Sequence, residues 1–193
     1  MNAVSKVIRR FTVPPVFAVA LLLTVYVARP EYVGEWWFIF AGVFFLAILP
    51  TLAYPMQKLI PHFKDGGRKA QRTLAMIFSF FGYLGGAIVS AVASAPAKLK
   101  LIFFEYLVCG VLMIVLNKLL HIKASGHACG VVGPVMMLAF LRIFIPAIVG
   151  AALIVPVYIS SVKTKQHTVG QLIWGSAIPF IALAILLLLG FGG

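Results

Sequence analysis

Acidic residues are scarce in this chain: four Asp and Glu stand against sixteen Lys and Arg in 193 residues. Only 10% of positions are charged while 63% are hydrophobic, too few polar groups to cover a water-soluble surface. Cysteine is also rare. Cys109 lies in an apolar run and Cys129 just after His127, so neither a disulfide framework nor metal-ligand spacing is available, and both read as packing residues. No two histidines stand at i and i+4 and no acidic relay crosses an apolar run, which ranks a haem, quinone or transport protein last. An aromatic-basic interleave and an extramembrane domain are missing too, so no nucleic acid partner is expected. Low-complexity segments, soluble linkers and internal repeats are lacking, which leaves one domain over residues 1–193.

What is present is apolar length. Mean hydropathy is +1.10, and apolar runs fall at Phe11–Ala28, Trp36–Tyr54, Leu74–Ala93, Leu101–Leu116, Ala128–Leu141, Ile143–Ile159 and Val169–Phe191. The expected fold is all-α, a polytopic transmembrane bundle of six to seven spans. Ala128–Ile159 as one helix would be roughly 48 Å long at 1.5 Å per residue, too long for a bilayer without severe tilt. A bent pair meeting at Leu141-Arg142 is preferred, with Pro146 near the start of its second arm. Lys6, Arg9 and Arg10 before the first run mimic a signal peptide, but Tyr26-Val27-Ala28 is a poor cleavage site and a retained span is expected.

With seven crossings, twelve cations fall on the face that holds the amino terminus: Lys6, Arg9, Arg10, Lys58, Lys64, Arg68, Lys69, Arg72, Lys118, Lys123, Lys163 and Lys165. Four, Arg29, Lys98, Lys100 and Arg142, fall on the other. The positive-inside rule then places the amino terminus in the cytoplasm of a prokaryotic cell membrane, although cations serving an anionic substrate would inflate the same count. Trp36 and Trp37 open the second span as an interfacial belt, with Glu31 and Glu35 before them. Gly82, Gly85 and Gly86 in the third span suggest close helix packing. Glu105, one turn inside the fourth span, reads as shallow enough to snorkel, with an intramembrane functional acid as the alternative.

The chemistry gathers on the cation-rich face, which receives all four histidines, His62, His121, His127 and His167. Ser125-Gly126-His127 precedes an apolar helix whose first-turn amides and dipole favour an anion. Lys123 adds a charge, Ser125 a hydroxyl and Gly126 close backbone approach. An ordinary N-cap explains Ser125 equally well. His167 opens the last span after Lys163 and Lys165, and Gln171 lies one turn on, where its amide oxygen can accept from the imidazole and fix the tautomer. Its alternative partner is another helix. Even numbers of crossings also return the basic loop Lys58–Arg72, with Lys64, Arg68, Lys69 and Arg72, to this face. Cations, donors and two histidines without carboxylates suit binding and transfer of a phosphoryl group.

These residues resemble the motifs of the type 2 phosphatidic acid phosphatase superfamily: K-x-x-x-x-x-x-R-P, then P-S-G-H, then S-R-x-x-x-x-x-H-x-x-x-D. Ala124-Ser125-Gly126-His127 is similar to the second, with Ala for Pro. Ser160 and His167 match the third, with Ser161 in the place of Arg and Gln171 in the place of Asp. The first is loose, since Lys64 to Arg72 is one residue too long and Thr73 replaces Pro. His127-Ala128-x-Gly130-x-x-Gly133-Pro134 with His167-Thr168-x-x-Gln171 also looks like a short prokaryotic branch in which the acid is Gln. The resemblance implies a lipid phosphatase acting on a phosphatidic acid-like or polyprenyl phosphate or diphosphate, with no metal and no cofactor. It implies His167 as nucleophile, His127 as proton donor, and Lys64, Arg72, Lys123, Ser125, Gly126 and Lys163 around the phosphoryl oxygens. The missing Asp and Arg leave a second reading open, a catalytically decayed lipid-phosphate binder or carrier of the same fold.

Overall fold

The computed structural model describes residues 13–164 and 166–191. Among them are seven helices of more than two turns and no strand: α1 Pro14–Ala28, α2 Trp37–Leu59, α3 Gly67–Val92, α4 Ala97–Leu119, α5 Gly126–Phe140, α6 Phe144–Lys163 and α7 Val169–Leu188. Single turns at Pro30–Val33 and Pro61–Lys64 join α1 to α2 and α2 to α3. Five helices, α2, α3, α4, α6 and α7, are long and apolar enough to cross a membrane. The expectation of six to seven spans is therefore met at the coarser level of an all-helical bundle, with α1 and α5 at 15 residues each falling short of the length of the other five. Phe11 and Thr12, assigned to the first span, and Lys6, Arg9, Arg10 and Lys165 lie outside the described residues.

The boundaries move outward from the apolar runs. Helix α2 continues past Tyr54 to Leu59, and α3 begins at Gly67 rather than Leu74, so most of the expected basic loop is helical. Lys, Arg and Gln are good helix formers that extend a span beyond the apolar slab, whereas hydropathy marks only the slab. Proline is accommodated inside α2 because the turn at Phe44–Ile48 widens to π geometry just before Pro50, which has no N–H for the Leu46 carbonyl. The break between α5 and α6 falls where the length argument put it. Arg142 takes a left-handed conformation at φ 59°, the amides of Arg142 and Ile143 close onto Ala139 and Leu138, and Pro146 occupies the third position of α6.

Six helices close a ring in the order α1, α2, α3, α4, α7, α5, and α6 packs outside it on α5. Helix α5 is buried continuously from Val131 to Leu138. A helix apolar all round and enclosed by neighbours is an interior helix, which is why 15 residues suffice there. The principal core joins Leu21, Leu22 and Val25 of α1 to Leu99, Ile102 and Phe103 of α4 and Met137 of α5. Association of apolar helices rests on tight packing rather than water exclusion, so small residues mark the contacts. A Cβ on Gly82 would stand 2.5 Å from the Phe45 carbonyl, and one on Gly86 would stand 2.6 Å from the Phe103 ring. Residues such as Phe40, Phe81, Ile145 and Ile148 face outward, as lipid contact requires.

Glu105 overturns the snorkelling expectation. Because α4 starts at Ala97, four residues before the apolar run, Glu105 is two turns in rather than one. It is 2% exposed, accepts a hydrogen bond from the Cys109 thiol at 3.1 Å, and sits against Gly133 of α5. A helix that continues further out than its hydropathy suggests places the same residue deeper.

Candidate functional site

The alternation of α1 to α7 gathers the starts of α1, α3, α5 and α7 and the ends of α2, α4 and α6 at one end of the bundle. Pro14 of α1 packs on Gly130 of α5, and Gly175 of α7 packs on the Ser125 carbonyl, so these starts are neighbours in space. His62, His121, His127 and His167 all lie at this end, as do Lys58, Lys64, Arg68, Lys69, Arg72, Lys118, Lys123 and Lys163.

Ser125 is the N-cap of α5, with extended backbone and its Oγ accepting from the Ala128 amide at 3.2 Å. Its own amide donates to the Gln171 carbonyl at 2.9 Å. Thr168 caps α7 in the same manner, its Oγ1 accepting from the Gln171 amide at 3.3 Å. Gln171 is thereby held at three points, because its side chain also meets His167, Nδ1 to Oε1 at 3.2 Å. With Nδ1–H donating to the amide oxygen, the lone pair of His167 stands on Nε2. The Gln171 side chain thus meets the imidazole rather than another helix, and its backbone carbonyl separately joins α7 to the start of α5.

His167 is half-buried and its pKa is lowered, chiefly by burial; the Gln171 hydrogen bond opposes this, and the Arg72 guanidinium reinforces it. A neutral imidazole is therefore favoured, the form with a nucleophilic nitrogen. The same interaction shows that Arg72, in the second turn of α3, is close enough for its charge to act on His167. Gly126 and His127 are the first two residues of α5, and Gly126 is exposed, with its nearest side chain Met113 of α4. His127 is half-buried and engaged in an interaction of its own.

The structure thus brings together Ser125, Gln171 and His167 by direct bonds and Arg72 by charge. Lys64, Lys123 and Lys163 are exposed at the same end, and among the described residues no hydrogen bond joins them to Ser125 or His167. Ser161, in the place of the expected Arg, is buried and donates to the Val157 carbonyl at 2.8 Å, so that position faces the bundle rather than a substrate. Asn117 escaped the reading of the sequence. Its Oδ1 accepts from the Ala124 amide at 3.1 Å and its Nδ2 donates to the Met113 carbonyl at 3.0 Å, tying the approach to Ser125 onto the end of α4. An amide in the last apolar turn of a span was the available signal. A second omission is Tyr158 of α6 with Ser176 of α7: the Ser176 hydroxyl donates to the Leu172 carbonyl at 2.7 Å, so Tyr158 donates to Ser176.

Fold and site define an all-helical bundle with five helices able to cross a membrane and a histidine-centred, cation-rich cluster at one end. Comparison with protein-family models, with curated proteins and with solved structures finds no match to this chain.

Proposed function

We propose that this chain is a membrane lipid phosphatase, hydrolysing a phosphomonoester or diphosphate of a phosphatidic acid-like or polyprenyl lipid through a phosphohistidine. The observation that carries the reading is Gln171, bound through its carbonyl to Ser125 and through its side chain to His167, which makes the two motifs one site. His167 Nε2 attacks phosphorus as the bond to the leaving oxygen breaks, and His127 delivers a proton to that oxygen. Water then attacks the phosphohistidine, releasing phosphate and restoring His167. Arg72 and the first-turn amides of α5 stabilise the charge on the phosphoryl oxygens, with Ser125, Gly126, Lys123, Lys64 and Lys163 around them. The cation excess at this end supports placing it, with the amino terminus, in the cytoplasm.

Purified protein in detergent or nanodiscs, given phosphatidic acid or an isoprenoid diphosphate without added metal, is expected to release inorganic phosphate. His167→Ala is expected to reduce release to background and His127→Ala to lower it by ~10²–10⁴-fold. An unchanged rate in His167→Ala would remove the nucleophile and the mechanism with it. The neutral Gln171 and the inward Ser161 favour, as a second reading, a lipid-phosphate binder without turnover. Saturable binding of phosphatidic acid with no phosphate release from any lipid phosphate tested would establish that instead.

A further inference from the structure

An apolar groove of about 180 Å³ lies between α3 and α4 in the half of the bundle nearest the histidines. Met76, Ile77 and Phe80 of α3 and Ile114 of α4 form its walls, and Thr73 and Lys118 stand at its polar end. The groove begins where the small residues stop. Toward the far end Gly86 packs on Phe103 and Gly110 on Tyr83, which seats α3 closely on α4. Nearer the histidines the same α3 face carries Thr73 and then the larger Met76, Ile77 and Phe80 in place of glycine, one helical stripe about 10 Å long. Ile77 is exposed, so the groove opens to the surface that meets lipid.

We infer that this groove holds the hydrocarbon chain of a lipid phosphate whose head lies at the His167 site. The inference rests on the phosphatase reading for the fate of the head, and on the groove itself for the tail. Charge and polarity favour an anionic lipid over a neutral one. The walls are hydrocarbon-like, the Lys118 ammonium closes the polar end, and the residue before Thr73 is Arg72, whose charge already reaches His167. A lipid with its chain along Phe80, Met76 and Thr73 brings its phosphate between those two cations without leaving the bilayer.

Two measurements test this separately from catalysis. In nanodiscs, His167→Ala protein carrying Phe80→Trp is titrated with phosphatidic acid brominated on its chains, or with brominated phosphatidylcholine at the same mole fraction, against His167→Ala alone as background. Quenching of the added indole by phosphatidic acid is expected to exceed that by phosphatidylcholine at least threefold, and Lys118→Ala is expected to remove the excess. Equal quenching by the two lipids would mean bulk lipid only and overturn the inference whether or not the chain hydrolyses anything. With His167 intact, Met76→Trp, which fills the groove, is expected to raise KM for long-chain phosphatidic acid at least tenfold and leave turnover of a short soluble phosphate monoester unchanged. An equal effect on both substrates would overturn the placement of the chain. Preferential quenching with no hydrolysis by the intact protein would instead overturn the phosphatase reading and leave the groove standing.

Discussion

The roles of individual residues depend on protonation. In the proposed mechanism His167 acts in its neutral form, and burial together with the nearby Arg72 holds its pKa below the usual histidine range. The acid limb of kcat/KM is therefore expected below pH ~6.5, with activity rising as pH increases through the His167 pKa. Removing Arg72 takes away an influence that lowers the pKa, so Arg72→Ala is expected to move that limb to higher pH as well as weakening phosphate binding. Gln171→Leu removes the one influence that raises it and is expected to move the limb lower, with a reduced plateau from the unanchored ring. A pH–rate profile of the three proteins checks both signs. The pair His167 and Gln171 was legible in the sequence from their spacing of four, although His167 precedes the Thr168 N-cap and reaches Gln171 from just outside α7 rather than from within the helix. Asn117 was not, since its partner Ala124 lies across a turn whose path no local pattern dictates.

Among the elements, α5 and α7 set the site, and the contact between them is glycine at Gly175. A Cβ there would run into the Ser125 carbonyl, a backbone group that cannot rotate away. Gly175→Val is expected to destabilise the protein by about 1–3 kcal/mol and to separate Ser125 from Gln171, so activity falls further than stability. Gly170→Ala, at a position with open space around it, is the control and is expected to be neutral or slightly stabilising. Thermal unfolding in detergent alongside phosphate release measures both. Hydropathy found every one of the seven helices, and the break at Arg142 followed from length alone. It misjudged ends, by seven residues at the start of α3 and by four at the start of α4, because basic residues continue a helix into the interface. That error is what made the buried Glu105 look shallow.

At the scale of the whole molecule, alternation of helix direction sorts the charges. Eight described cations lie at the histidine end and four, Arg29, Lys98, Lys100 and Arg142, at the opposite end. In a Cys109→Ala, Cys129→Ala background, single cysteines at Lys123 and at Lys98 are expected to react with a membrane-impermeant maleimide from opposite sides of sealed vesicles, Lys123 from the cytoplasmic side. Labelling of both from one side would break the alternation on which the site depends. The sequence by itself determined the apolar helices, their number, the break at Arg142 and the histidines' common end, because helix formation and crossing length depend on residues close in the chain. Only the tertiary structure decided that α5 is enclosed, that Glu105 and Ser161 face inward, that Gln171 binds Ser125, and that α3 and α4 leave a groove. Those facts turn on which faces of distant helices meet, and in a chain apolar on nearly every face the pattern of hydrophobicity does not say which side is inside.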